Sequence, residues 1–378
     1  MIHVRVLLLS VILAILFFTA CSPETEPVPL DSSEPALAED AVSPTPRATA
    51  TPTPTPTLTP TVPAPTTVHV SSDGSGDFET LEAAIAAVIP DSTIMLSSGT
   101  FILSEALTLE KPLAIVGEDR ARTEIVSAAS PYMIRYTGNG VFSLSGITLR
   151  HTEGEGANVL EVEGGSIEFS DCRITGGLSD DNSPGNGIVV RNTVSGTIKN
   201  CVIEKNDGAG IALTDQVQLT LEDNVCSENY IGILFSGSSA GTVKDNRCLS
   251  NHVGFLVRDS AAPLLVRNTA NNNEQTGLLY EVNESGGGEA NGNFLQNNAA
   301  GPFGLGTDIF IIGPYAPALT ENKCSRENLT SDSPFGDSSG IVFFSDDELP
   351  VTPILNNNSC SVVWCTGTPF NAACREDN

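Results

Sequence analysis

Asp223 and Asp245 stand at equivalent places in two segments that repeat one another, and Arg267 takes that place in the next. Carboxylates brought within about 5 Å of each other repel unless a proton or a cation intervenes. A Ca²⁺ ion held by Asp223 and Asp245, with help from Glu222 and nearby carbonyls, would relieve that repulsion. The column beside them reads Lys199, Glu222, Lys244, so a solvated ladder of alternating charge relieves it equally well. Arg247, Arg258 and Arg267 fall in the same stretch. With the two aspartates they form the set of candidate ligand-binding residues.

These side chains meet only if the chain between them folds in equal units. Ile198-Lys199-Asn200-Cys201 aligns with Leu221-Glu222-Asp223-Asn224, Val243-Lys244-Asp245-Asn246 and Leu265-Val266-Arg267-Asn268, at a spacing of 22 to 23 residues. Each unit then reaches an asparagine (Asn206, Asn229, Asn251, Asn273) and a Gly-apolar step (Gly210-Ile211, Gly232-Ile233, Gly254-Phe255, Gly277-Leu278). Such a period means stacked supersecondary units. The unit holds short β-rich runs between Asn, Asp and Gly, with no 3.6-residue pattern, which predicts an all-β parallel β-helix, a solenoid with one coil per repeat. The asparagine columns then belong to turns, where Asn tolerates left-handed dihedrals and stacked amides bond from coil to coil. Leu81, Ala84, Ile85 and Val88, behind Thr80, have the spacing of a short helix that would cap the first coil.

The period breaks at Gly176–Gly187 and again from Gly301 to Gly340. Protruding loops carry function more readily than packed coils, so Gly176–Gly187 and Ala299–Asp308 are the candidate cleft walls. Tyr230, His252 and Tyr280 are the aromatic residues expected to line one face.

The chain's start is of another kind. Arg5 and the apolar run Val6–Phe18 form a secretory signal too short to span a membrane comfortably. Phe18-Thr19-Ala20-Cys21 resembles the bacterial lipoprotein box, which implies a lipid on Cys21 and removal of residues 1–21. Residues 22–67 hold 12 of the 24 prolines and almost no apolar side chains, the composition of an extended tether. The domain proper runs from Val68 to Asn378. With 46 acidic against 18 basic residues and a net charge of −28, the chain repels polyanions, which argues against nucleic acid as a partner. Export permits disulfides. Equivalent positions pair Cys172 with Cys201 and Cys226 with Cys248; similar contexts pair Cys324 with Cys360, leaving Cys365 with Cys374 as the tail bond. For the stacked pairs, buried reduced thiols are the alternative.

The segment Asp73-Gly74-Ser75-Gly76-Asp77-Phe78, with Thr80-Leu81 and Ala83-Ala84-Ile85, followed by Ile94 to Phe101, resembles the entry of the pectin-lyase-like superfamily, an opening shared with pectinesterases. The later coils are similar to the generic right-handed β-helix repeat, and the likeness covers Val68 to Cys360. It implies a right-handed parallel β-helix acting on or binding carbohydrate. Thr307-Asp308-Ile309-Phe310-Ile311-Ile312-Gly313 resembles the Asp-Phe-Ile-Phe-Gly segment of pectinesterases, which implies Asp308 as a catalytic carboxylate, although the glutamine and arginine motifs of that family are missing. There is also a likeness to the periplasmic β-helix family that helps mature copper sites, but His151, His252, Met95 and Met133 are few for copper chemistry. The expectation is a lipid-anchored, exported β-helix, facing the exterior or periplasm, that binds an extracellular polysaccharide or cell-envelope component without a cofactor other than Ca²⁺. A polysaccharide lyase or hydrolase and a non-catalytic adhesin or spacer are the alternatives.

Overall fold

The computed structural model describes residues 64–283, 286–298, 307–325, 340–345, 354–366 and 373–376. The expected signal, Cys21 and the tether up to residue 63 lie outside them, as do residues 299–306. Ala64–Asn378 is one compact unit. Among the described residues its strands form three parallel sheets, and each coil visits them in turn. Sheet A, of 12 strands, starts with Thr67–Val70 and Ser92–Leu96; sheet B, of 10, starts with Gly99–Leu103; sheet C, of 12, starts with Leu107–Leu109 and Tyr132–Tyr136. The one antiparallel pair among the named strands joins Val362–Thr366 to Ala373–Glu376 at the end of sheet C.

Register follows the repeat. Ile198, Leu221, Val243 and Leu265 lie in one line in sheet A, fully buried, because equal coils put equivalent side chains on one inward face. The Gly-apolar steps sit where coils approach too closely for a side chain: a Cβ at Gly232 would lie 2.4 Å from the Gly254 carbonyl oxygen. The expected helix forms at Leu81–Ala87, with the Thr80 hydroxyl accepting from the Ala83 amide and Leu81, Ala84 and Ile85 buried in the core.

The corner between sheets A and B turns in the same way in coil after coil. One residue takes a left-handed conformation (Asp171, Asn200, Asp223, Asp245, Arg267, Glu321, Asn357, all with φ between 52° and 57°) and the next side chain points inward. From Asn224 onward that inward residue is an asparagine. Asn224, Asn246, Asn268, Asn293, Asn322 and Asn358 form a ladder in which each Oδ1 accepts the backbone N–H and the Nδ2–H of the asparagine one coil earlier, at 2.8 to 3.1 Å. A second ladder at the corner between sheets B and C runs Asn206, Asn229, Asn251, Asn273, Asn298. The left-handed residue there is again the one before the asparagine: Lys205, Glu228, Ser250, Asn272 and Asn297. The ladders are as expected, but the dihedral strain sits one residue earlier than the asparagines themselves.

The cysteines divide. Cys324 and Cys360 are bonded, with Cα atoms 5.0 Å apart. Cys172, Cys201, Cys226 and Cys248 are buried thiols, so of the two alternatives for the stacked pairs the reduced form is present and the bonds Cys172–Cys201 and Cys226–Cys248 are not formed. Cys172 and Cys201 occupy the first slots of the A–B ladder. The Cys201 Sγ accepts the Cys172 amide, and the Cys201 amide donates to Asn224 Oδ1, so the thiols stand in for side-chain amides. Cys226 and Cys248 are in register in regular strands of sheet B. Parallel neighbours there keep their Cβ atoms about a strand spacing apart, wider than a disulfide needs. Cys360 lies outside the regular strands, where the backbone is freer to converge. Cys365 and Cys374 face each other across the antiparallel pair, but their side chains lie outside the described set.

Candidate functional site

Both breaks in the period begin between a strand of sheet B and the next strand of sheet C. Gly176–Gly187 falls between Arg173–Thr175 and Ile188–Val190, and residues 297–308 fall between Phe294–Gln296 and Ile309–Ile312. The Gly176–Gly187 loop is knitted shut. Leu178 bridges Ala157, Ser179 bridges Pro184, and the Asp180 carboxylate accepts the amides of Asn182, Gly156 and Ser183 at 2.8 to 2.9 Å. Those donors hold Asp180 below the usual carboxylate range. The loop also bonds to the next coil, where Asp207 accepts from the Ser179 amide.

Beyond that loop, the same corner presents a line of side chains to solvent: Asp207, Tyr230, His252 and Glu274, one per coil. The Tyr230 and His252 rings stack with centroids 4.8 Å apart and planes 13° from parallel, and Tyr230 is 40% exposed. His252 Nδ1 lies 3.2 Å from Glu274 Oε2. The stack exists because equal coils bring successive residues after the ladder asparagine to one spacing. Tyr280, expected on the same face, instead points into the core, fully buried.

The outward side of sheet C adjoins this corner. One of its columns reads Arg135, Glu161, Val189, Ala212, Leu234, Leu256, Leu279, Phe310, Val342. Its middle and far end belong to a second apolar cluster, separate from the core. Charge is placed at two points. At the first, Glu161 accepts Arg135 Nε at 2.7 Å and Asn158 Nδ2 at 2.7 Å, the Arg135 guanidinium lies 3.8 Å over the Tyr132 ring, and Arg191 Nη1 reaches Glu163 at 3.5 Å. That cluster is closed on itself. At the second, Arg258 and Glu281 are in register on the two seven-residue strands Val253–Asp259 and Thr276–Val282. Burial pushes the Glu281 carboxyl up to about 7, against the opposing pull of Arg258. Arg258 Nε is buried without a hydrogen-bond partner; its nearest acid oxygen, Asp259 Oδ2, is 3.8 Å away.

A family model described as "Right handed beta helix region" matches residues 155–313. The A-module of the mannuronan C-5 epimerase AlgE4 from Azotobacter vinelandii is similar in structure, with a TM-score of 0.51 at 14% identity over 79% of this chain and 96% of that one. A pectate lyase, Pel9A, has a TM-score of 0.48 at 15% identity over 78% and 79%, and the pectin methylesterase from carrot 0.35 at 15% over 70% and 84%. No curated protein matches in sequence. The fold is that of a right-handed parallel β-helix.

The β-helix scatters most of the residues singled out from sequence. Arg247 lies exposed on sheet B, Arg258 on sheet C, and Arg267 at the A–B corner, so the three arginines face three sides. Asp223 and Asp245 are the left-handed turn residues of that corner. Arg267 grips Asp245 with Nε at 3.0 Å and Nη2 at 2.8 Å, and this holds the Asp245 carboxyl below its ordinary range. Lys244 bonds Glu222 at 2.7 Å. The column is therefore an ion-pair ladder, and among the described residues no group of three or more His, Cys, Asp or Glu is placed to hold a metal ion. Asp308, the carboxylate that the pectinesterase likeness pointed to, is fully buried and accepts Asn298 Nδ2 at 2.8 Å, the donor that in earlier rungs goes to the next asparagine. Its surroundings explain it as structure. Glu281 was missed, although its signal was present: it breaks the apolar run Leu278-Leu279-Tyr280 one period after Arg258.

Proposed function

We propose that the β-helix binds a saccharide chain of the cell envelope or extracellular matrix along its B–C corner. The observation that carries the reading is the exposed Tyr230–His252 stack, flanked by the carboxylates of Asp207 and Glu274. A sugar ring offers a face of C–H bonds to an aromatic plane and hydroxyls to flanking carboxylates. Packed aromatic contacts of this kind contribute about 0.5–1.5 kcal/mol beyond buried area. The knitted Gly176–Gly187 loop would stop the chain at one end of the strip. Export on a lipid at Cys21, with the Pro/Thr tether as spacer, would display that strip outside the membrane.

Glycan-array binding of the full chain tests this. Wild type should retain a definite set of glycans, and Tyr230→Ala should weaken them about tenfold without moving the unfolding midpoint. Wild type binding no glycan, or Tyr230→Ala binding as wild type does, would sink the reading.

A further inference from the structure

The outward side of sheet C carries partly buried charge in two places, and only one is satisfied. Around Glu161 the two carboxylate oxygens accept from Arg135 and Asn158. Around Arg258 the Nε hydrogen has no acceptor, and the carboxylate of Asp259 is already taken by the Gly237 amide at 3.1 Å. Glu281, one strand away in register, forms no ion pair with Arg258 within 4.0 Å. A buried N–H without an acceptor is costly, and an orphan of this kind calls for a group outside the chain that completes it.

We propose that Arg258 and Glu281 form a subsite for a carboxylate-bearing ligand. The guanidinium offers a planar fork of N–H donors that matches a carboxylate. A protonated Glu281 adds an O–H donor to the same anion, whereas its ionised form would repel it. The groups facing Glu281 among the described residues are Arg258 and Asp259 from the preceding strand and apolar Ile312 from the following one. Burial on this margin of the sheet keeps the proton on Glu281 up to about pH 7, so the competent form is present in mildly acid solution. Nothing in this site depends on Tyr230, which stands at the start of the coil before the one that bears Arg258, so the subsite stands or falls apart from the saccharide-binding reading.

Calorimetric titration of the full chain with glucuronate, acetate and methyl glucoside, at pH 5.5 and pH 8, tests the subsite. Glucuronate or acetate should bind at pH 5.5 and about tenfold more weakly at pH 8, the ratio of protonated fractions for a group titrating near 7. Methyl glucoside should not bind there. Tighter binding of glucuronate than acetate assigns a sugar-borne carboxylate; equal binding assigns the free acid group alone. Glu281→Gln, which mimics the protonated acid, should bind at both pH values with the strength wild type shows at pH 5.5. Arg258→Gln should lose binding, with an unfolding curve as the check on its fold. Absence of carboxylate binding in wild type at pH 5.5, or a tenfold pH dependence surviving in Glu281→Gln, overturns the proposal. Tyr230→Ala should leave all of these values unchanged.

Discussion

The A–B corner and the side that bears sheet C are made by the same coils, yet they treat buried polar groups in opposite ways. At the A–B corner every ladder asparagine from Asn224 to Asn322 donates to the next coil and accepts from the last, and the turn keeps one length. On the other side the turn lengthens at Gly176–Gly187. The buried side-chain atoms without a hydrogen-bond partner gather there too: His151 Nε2, Asn271 Oδ1 and Gln275 Nε2 near the B–C corner, and Arg258 Nε and Tyr280 Oη on strands of sheet C. Among the described residues none is at the A–B corner. An insertion between A–B ladder residues would cut that ladder, whereas the B–C turn lengthens only where its own ladder begins and ends, beside Asn206 and after Asn298. That side is where a ligand has something to complete.

The contrast can be broken most severely by length. Four residues inserted between Asp245 and Asn246 should cut the ladder and cost upward of about 4 kcal/mol, since several buried donors and acceptors lose partners at once. The same insertion between Asp181 and Asn182, both exposed, should cost about 1 kcal/mol or less. Urea midpoints of the two proteins measure the difference, and equal losses would show that the two corners do not differ. Next in size is Asn246→Ala. It leaves the Asn224 amide groups without an acceptor and the Leu221 carbonyl and Asn268 Oδ1 each short of a donor, for about 3 kcal/mol. Asn206→Ala, at the loop end of the other ladder, should cost roughly half as much.

The smallest effect is set by pH. Glu281 titrates near 7 in the fold against 4.5 for an ordinary glutamate, so the folded state holds the proton more tightly than the unfolded chain. Its contribution is complete below about pH 4.5 and is lost as pH rises through 7. Between pH 5 and pH 8 wild type should lose on the order of 2 kcal/mol more than Glu281→Gln. Denaturant curves at the two pH values check this, and parallel behaviour of the two proteins would remove the contrast between satisfied and unsatisfied charge.

Much of the architecture is legible in the sequence because the coil's constraints are strict in spacing. The Gly-apolar step has to be glycine where a neighbouring carbonyl comes within 2.4 Å of the Cβ position, and from Asn224 onward an asparagine fills every rung of the A–B ladder. The left-handed slot was misplaced by one residue for an equally physical reason. It is filled by Asp, Glu, Lys, Ser and Arg as well as Asn, so no residue preference marks it, while the neighbouring column is Asn from Asn206 and Asn224 onward. The stacked cysteines share a slot without sharing a bond, because equivalence in sequence fixes register and not the approach of two Cβ atoms. The candidate site was less legible. Arg258 was singled out for its company in the repeat, whereas what distinguishes it is the lack of an acceptor at its Nε. Glu281 stands out only when its burial is known, and Asp308 looked functional only while its burial was not.

The ladder also has a direction. Asn224 donates to Asn246, Asn246 to Asn268 and so on toward the C-terminus, so each rung's donors wait for an acceptor that lies later in the chain. A chain that leaves the ribosome or a translocation pore N-terminus first therefore carries an unfinished rung at its growing end until the next coil arrives. Assembly should advance like a zip whose last closed tooth is always provisional. The part of the chain most exposed to mispairing during export is then the newest coil, whatever its sequence.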